Sequence, residues 1–193
     1  MKLRDIVAAA LFAALICVMA PFGFNVGPIP ITLATFAVYL AAAVLGWKWG
    51  TAAVLVYLLL GAVGLPVFSN FGAGFAKIAG PTGGYLVGYL PCALIAGLFA
   101  DRFQKLWGYA AGMLLGTVAL YALGTAWFCV VSGTPFLKAL GVCVIPFLPG
   151  DAIKIALASL VAVKLRPALK SLREKQAAEK KASPLGKLSP QGD

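Results

Sequence analysis

The sequence contains no histidine and only six acidic residues, against sixteen Lys and Arg, for a formal net charge of +10. Without histidine, a metal or haem site would fall to the four cysteines, Cys17, Cys92, Cys129 and Cys143. Each sits alone inside an apolar run with no C-x-x-C pairing, so the cysteines read as small core hydrophobes and no metal is expected. The chain also lacks a P-loop. The GPTGG run at 80–84 has neither the lysine nor the following hydroxyl of such a phosphate cradle, and no ATPase motif occurs elsewhere. Charge as a whole is scarce: 11% of residues are charged and 62% hydrophobic, where an average soluble domain carries roughly 25% charged residues. A soluble fold could not hide so much apolar surface, which leaves an all-α integral membrane protein.

The cations form no nucleic-acid face. Eight of the sixteen lie after Val163, and most of the others flank apolar runs, as topology signals do. At about 20 apolar residues per span, the chain accommodates six spans, read at 5–22, 30–46, 50–63, 83–100, 108–131 and 142–165. The first follows Lys2 and Arg4 as a signal peptide would, but residues 21–30 offer no small-residue cleavage site, so it is kept as a span. Two units result: a six-span membrane domain at 1–165 and a cationic tail at 166–193. The tail reads as a short surface helix that loses order over 183–193, its cations serving either anionic lipid headgroups or topology. With both termini inside, the inner segments hold Lys2, Arg4, Lys48, Arg102, Lys105 and the tail cations, and the outer ones only Lys77 and Lys138. The positive-inside rule therefore predicts a multi-pass protein of a bacterial-type plasma membrane with cytoplasmic termini.

One outer stretch, 61–85, breaks into glycines and prolines with a lone Asn70 and a lone Lys77. Irregular backbone at a membrane is tolerated where protein or a watery cavity satisfies it, so this stretch is expected to cover a site. Asn70 both donates and accepts hydrogen bonds. Pro66, Val67, Phe68, Phe71 and Tyr85 offer apolar walls, and Lys77 a cation. Phe68 and Phe71 are also suited to anchoring the loop in the interface, and Lys77 to simple solvation.

The last span opens VIPFLPGDAIKIALASL, interrupted by Pro146 and Pro149 and loosened at Gly150. Asp151 and Lys154, three apart, share one helical face. Thirteen residues separate Asp151 from Lys164, about 20 Å of helix, which puts both charges within hydrocarbon depth. An ionisable residue there costs roughly 2.5–3.5 kcal/mol on insertion scales and marks a functional candidate. The alternative is a pair that merely neutralises itself and pins helices. Acceptors beside donors complement a ligand whose N–H groups flank a carbonyl, as in a cyclic urea. Asp101, beside Arg102, reads as loop. In the first span Ala9/Ala13 and Ala10/Ala14 form a flat stripe for close helix approach, within this bundle or against another protein. Gly112 and Gly116 repeat the spacing and are expected to pack internally.

GLPVF at 64–68, GPTGGY at 80–85 and P-G-D-x-x-K at 149–154 resemble, in that order, the signatures of the biotin-specific substrate-binding components (BioY) of energy-coupling-factor transporters. The likeness covers nearly the whole chain except the tail. It implies a non-enzymatic, high-affinity biotin captor open to the outside, working with a transmembrane coupling protein and a pair of cytoplasmic ATPases. ATP would be used by those partners, and no cofactor by this chain. It also implies that Asp151, Lys154 and Asn70 meet the ureido ring and that the alanine stripe resembles the surface docking on the coupling protein; the run 80–85, with Gly83, is read as folding back where backbone must approach the ligand. Some members place an arginine for the valerate carboxylate shortly after GPTGG; here none follows until Arg102, and Lys77 is the substitute. Rival readings are a sister component for another vitamin, a small intramembrane enzyme using Asp151 and Lys154, and a self-sufficient ion-coupled carrier.

Overall fold

The computed structural model describes residues 3–25 and 29–182; the predicted loss of order over 183–193 lies outside them. Seven helices follow one another: α1 (Leu3–Met19), α2 (Ala34–Val63), α3 (Phe75–Ala79), α4 (Gly83–Arg102), α5 (Leu106–Ser132), α6 (Phe136–Cys143) and α7 (Leu148–Ala182). A short antiparallel hairpin, β1 (Gly23–Asn25) and β2 (Pro30–Thr32), joins α1 to α2, with Phe24 opposite Ile31. A single 3₁₀ turn at Ser69–Phe71 precedes α3. The fold is thus all-α apart from that hairpin, and the outer loop expected to be irregular contains a helical turn and a short helix.

Two expected spans, 30–46 and 50–63, merge into α2, except that residues 30–32 form β2 and the helix begins at Ala34; α2 is broken at Gly46, where φ 83 and ψ 178 leave the helical region. Eight residues of continuous helix would advance about 12 Å. Yet a methyl added at Gly50 would lie 2.7 Å from the Ala42 Cα. The chain therefore doubles back at Gly46, and the two arms of α2 touch. Asp101, in the last turn of α4 rather than in a loop, holds this reversal: its carboxylate accepts the Trp47 N–H at 3.1 Å and pairs with Arg166 of α7. Beyond the second arm, Gly64 at φ 116 closes α2, and the Leu65 N–H reaches back to the Leu60 carbonyl at 3.1 Å.

In lipid, helices gain little by hiding apolar surface from one another, so close packing of small residues holds them. Between α4 and α5, a methyl on Gly116 would stand 2.8 Å from the Cys92 carbonyl oxygen, and one on Gly112 would collide with Phe99. This pair packs internally. On α1 the two alanine pairs part company: Ala9 and Ala13 are buried with Val44, Leu45 and Ala53 of α2, whereas Ala10 and Ala14 face outward.

The predicted last span, 142–165, is broken. Helix α6 starts earlier, at Phe136, and stops at Cys143; α7 starts at Leu148 and meets it at 52°. Pro146 offers no N–H to continue the ladder, while Pro149, in the first turn of α7, needs none. Helix α7 then passes the 165/166 boundary without interruption, and Leu169 still packs on the Ala9–Ala13 cluster. Among the described residues, α2, α4 and α5 are each long and apolar enough to cross a membrane, and the bent α6–α7 pair makes a fourth candidate.

Replacing Gly50 by Leu would force the α2 arms apart and is expected to cost about 1–3 kcal/mol, the usual range for overpacking. A fluorescence thermal-shift midpoint in detergent reads it. Gly141→Ala, where an added methyl meets nothing within 4 Å, should leave the midpoint unchanged or slightly raised; equal losses in both variants would contradict the doubled-back arrangement.

Candidate functional site

The broken α6–α7 junction delivers Asp151 into the first turn of α7, where its N–H still finds the Phe147 carbonyl at 2.9 Å. Its side chain is almost sealed, with the residue 4% exposed. The Lys154 Nζ donates to Asp151 Oδ1 at 2.9 Å, to Thr35 Oγ1 at 2.9 Å and to the Thr32 carbonyl at 2.8 Å. These three bonds use all the donors an ammonium has. The Thr35 hydroxyl in turn donates to Asp151 Oδ1 at 3.4 Å, and the Tyr121 hydroxyl to Oδ2 at 2.5 Å. A charge pair taken out of water holds together only when its remaining lone pairs and protons are satisfied, and here strand β2, α2 and α5 supply the partners. Oδ2 receives one bond from the protein and so keeps capacity for another.

Two cavities adjoin this cluster. One, about 350 Å³ including its mouth, is lined on its polar side by Asp151, Tyr121, Thr35 and Thr32, and on its apolar side by residues such as Leu120 and Phe147. The other, about 310 Å³, is lined by Tyr57, Ser69, Thr82 and Leu86 among others. Ile29, Pro30, Thr32, Tyr85 and Tyr89 border both. The Tyr85 hydroxyl is within 3.0 Å of Thr125 Oγ1, which fixes that ring against α5. Deeper in the bundle, Tyr39 bonds to Thr117 at 2.5 Å, and Thr117 donates to the Met113 carbonyl at 2.7 Å. No group of three or more metal-ligating side chains occurs among the described residues. The arrangement offers one ion pair, several tyrosines and hydroxyls, and apolar walls: binding chemistry, for a small molecule with both polar and ring character.

The residues expected at the site divide. Asp151 and Tyr85 line cavity walls, and Lys154 sits behind Asp151 as its partner. Phe68 is wholly buried; its ring stands edge-on to Tyr57 at 5.5 Å and fills the space left by Gly61, bordering neither cavity. Asn70 adopts φ 57, its N–H bonded to the Pro21 carbonyl at 3.1 Å. It borders neither cavity, and its neighbour Ser69 does. Pro66 is exposed, and the Lys77 stem lies across Gly72 away from both cavities. Phe71 is exposed and edge-on to Phe22 at 5.8 Å. Gly83 is required by close approach, since a methyl there would run into the Ile78 carbonyl. The GPTGG run is held from α5, where the Trp127 Nε1–H donates to the Gly80 carbonyl at 3.0 Å.

Sequence reasoning missed Thr32, Thr35, Tyr89, Tyr121, Ser69 and Thr82. One signal was available: Thr117, Tyr121 and Thr125 recur every four residues on an otherwise apolar α5, a polar stripe at helical spacing. Tyr85 and Tyr89 repeat it on α4.

Residues 1–171 match the BioY family. The chain is 42% identical over 164 residues to the biotin transporter BioY of Thermotoga maritima, covering 85% of this chain and 96% of that protein. It is 39% identical over 166 residues to the probable biotin transporter BioY of Pyrococcus horikoshii, with 86% and 98% covered. Its fold matches, with a TM-score of 0.80 and 30% identity, the 2.1 Å crystal structure of the S-component for biotin from an ECF-type ABC transporter, covering 86% of this chain and 92% of that one. With the Asp151–Lys154 cluster set at the wall of a cavity in that same fold, this chain belongs to the BioY family.

Proposed function

We propose that the chain captures biotin and delivers it across the plasma membrane as the S component of an energy-coupling-factor transporter. The observation that carries this reading is the buried cluster of Asp151, Lys154, Tyr121 and Thr35 beside a cavity. A ureido ring presents N–H donors that Asp151 Oδ2 has capacity to accept, and its bicyclic body fits the apolar share of the wall. Among the described residues the cavity walls present no activated nucleophile, and the Lys154 ammonium is fully engaged. Asn70 would join from the outer loop through a small movement of the turn at Ser69–Phe71.

Six crossings would be made by α1, the two arms of α2, α4, α5 and the α6–α7 pair. Lys48, Arg102, Lys105 and the cations from Lys164 onward then share one side, cytoplasmic by the positive-inside rule, with Lys77 and Lys138 opposite. The tail at 166–193 extends on that inner side. A transmembrane coupling protein would dock on the outward face of α1 at Ala10 and Ala14, since Ala9 and Ala13 are already covered by α2. A pair of cytoplasmic ATPases would supply the energy through it.

Asp151→Asn replaces an acceptor by a donor at the ureido position and is expected to weaken biotin binding by about 1–3 kcal/mol; Tyr121→Phe should lose less. Calorimetric titration of purified protein with biotin, riboflavin and thiamine tests both the ligand and the residue. Wild-type affinity in Asp151→Asn, or binding of riboflavin in place of biotin, would refute the assignment.

Ala10→Leu should abolish co-purification with the coupling protein while biotin affinity in the isolated chain stays unchanged. Retained assembly would move the docking surface away from α1.

A further inference from the structure

The end of the bundle away from the cavities carries charge that neither the cavities nor the fold use. There Asp101 accepts the Trp47 N–H and pairs with Arg166, which joins the α2 reversal, the last turn of α4 and helix α7. Further cations gather around this junction. Lys48 and Arg102 directly follow the bonded Trp47 and Asp101, and Lys164 precedes Arg166 by two residues. Lys105 lies three residues beyond Arg102, at most about 11 Å of chain. All four are exposed, and none takes part in an ion pair among the described residues. Asp101, the carboxylate in their midst, is already neutralised by Arg166.

Topology alone does not ask for this crowding, because cations anywhere on the inner segments satisfy the positive-inside rule. Like charges gathered around one point repel over the roughly 8 Å that physiological salt leaves unscreened, and an anion from outside the chain offsets that repulsion. The neighbouring surface says which kind of anion. Trp47 and Trp107 are 45% and 56% exposed, and the Trp107 ring lies 5.0 Å from that of Phe103, itself 5.8 Å from Phe99. Leu98, one turn deeper on α4 than Arg102, is open as well. Aromatic rings with a polar tip settle at headgroup level, and the leucine continues their surface toward the acyl chains. A free phosphate or an acidic peptide would engage the cations and leave this strip uncovered; a phospholipid engages both. We propose that the α2 reversal and the α4–α5 corner form a site for one anionic phospholipid, with Lys48, Arg102 and Lys105 around its phosphate and its chains along Phe103, Trp107 and Leu98. The site is independent of the biotin reading and goes beyond it.

Native mass spectrometry of the full chain in detergent, titrated with phosphatidylglycerol or with phosphatidylcholine of the same acyl chains, tests it without biotin present. Wild-type protein should retain one phosphatidylglycerol about tenfold or more tightly than phosphatidylcholine, since each Lys or Arg near an anionic surface contributes about fivefold. Lys48→Gln, Arg102→Gln and Lys105→Gln combined should bring the ratio close to unity. Trp107→Ala should weaken both lipids alike, and Lys138→Gln, at the opposite end, should change nothing. Arg102→Gln alone, expected to lose part of the preference, remains informative should the triple variant not fold. Equal retention of both lipids by wild-type protein, an unchanged ratio in the triple variant, or full displacement of the lipid by excess inorganic phosphate overturns the proposal. So does a triple variant that keeps its lipid preference but no longer assembles with the coupling protein, which would make the patch a protein-docking surface. None of these outcomes bears on biotin binding, which calorimetry reads separately.

Discussion

The Lys154 ammonium inside the bundle is the constraint to which the surrounding structure conforms. A cation at that depth is unfavourable unless every proton has an acceptor, and its acceptors come from three separate segments: Asp151 on its own helix, Thr35 at the start of α2, and the Thr32 carbonyl in β2. The last of these is a backbone group, which requires the chain to be extended rather than helical just before α2. The break between α6 and α7 answers the same need from the other side, since an uninterrupted helix from Phe136 would carry Asp151 elsewhere. Irregular backbone therefore surrounds the cluster, and the cavities occupy what that irregularity leaves open.

Elsewhere the bundle is held by closeness rather than by polarity. Gly50 against Ala42, Gly116 against Cys92 and the alanines of α1 against α2 bring backbones to near contact, which gives dispersion attraction in a solvent that offers no hydrophobic drive between helices. Tyr39 and Thr117 add a buried polar tie between α2 and α5. Large residues are pushed to the lipid side, as Leu114, Leu115 and Val118 are on α5.

Much of this was legible in the chain itself. Asp151 and Lys154 stood out because ionisable residues are so rare in the apolar runs, and the six apolar runs correspond to α1, the arms of α2, α4, α5 and the α6–α7 pair. What could not be read depends on contacts across the sequence. Nothing local reveals that the exposed Asp101 caps the Trp47 N–H at a glycine turn 54 residues earlier, so it passed for loop. Phe68 and Ser69 are adjacent, and only the tertiary fold decides that the aromatic ring fills the core while the small hydroxyl meets the cavity. Threonines are ordinary in membrane helices, so Thr35 carried no signal until Lys154 was found to need an acceptor there. Ala9 and Ala10 look alike in sequence; the path of α2 alone separates a packed alanine from an outward one.

The Asp101 junction bears on how the molecule can move. From the cavities, the first arm of α2, α4 and α7 each run on the order of 20 Å of helix to converge where Asp101 joins Trp47 and Arg166. That end is knotted by an ion pair and a tight reversal, while the cavity end is walled by loops, a two-stranded hairpin and helix starts. A rocking motion that alternately opens the two ends would have to undo the knot on every cycle. A body tied at its foot is instead suited to move as one piece, with only its crown parting to admit or release what it carries.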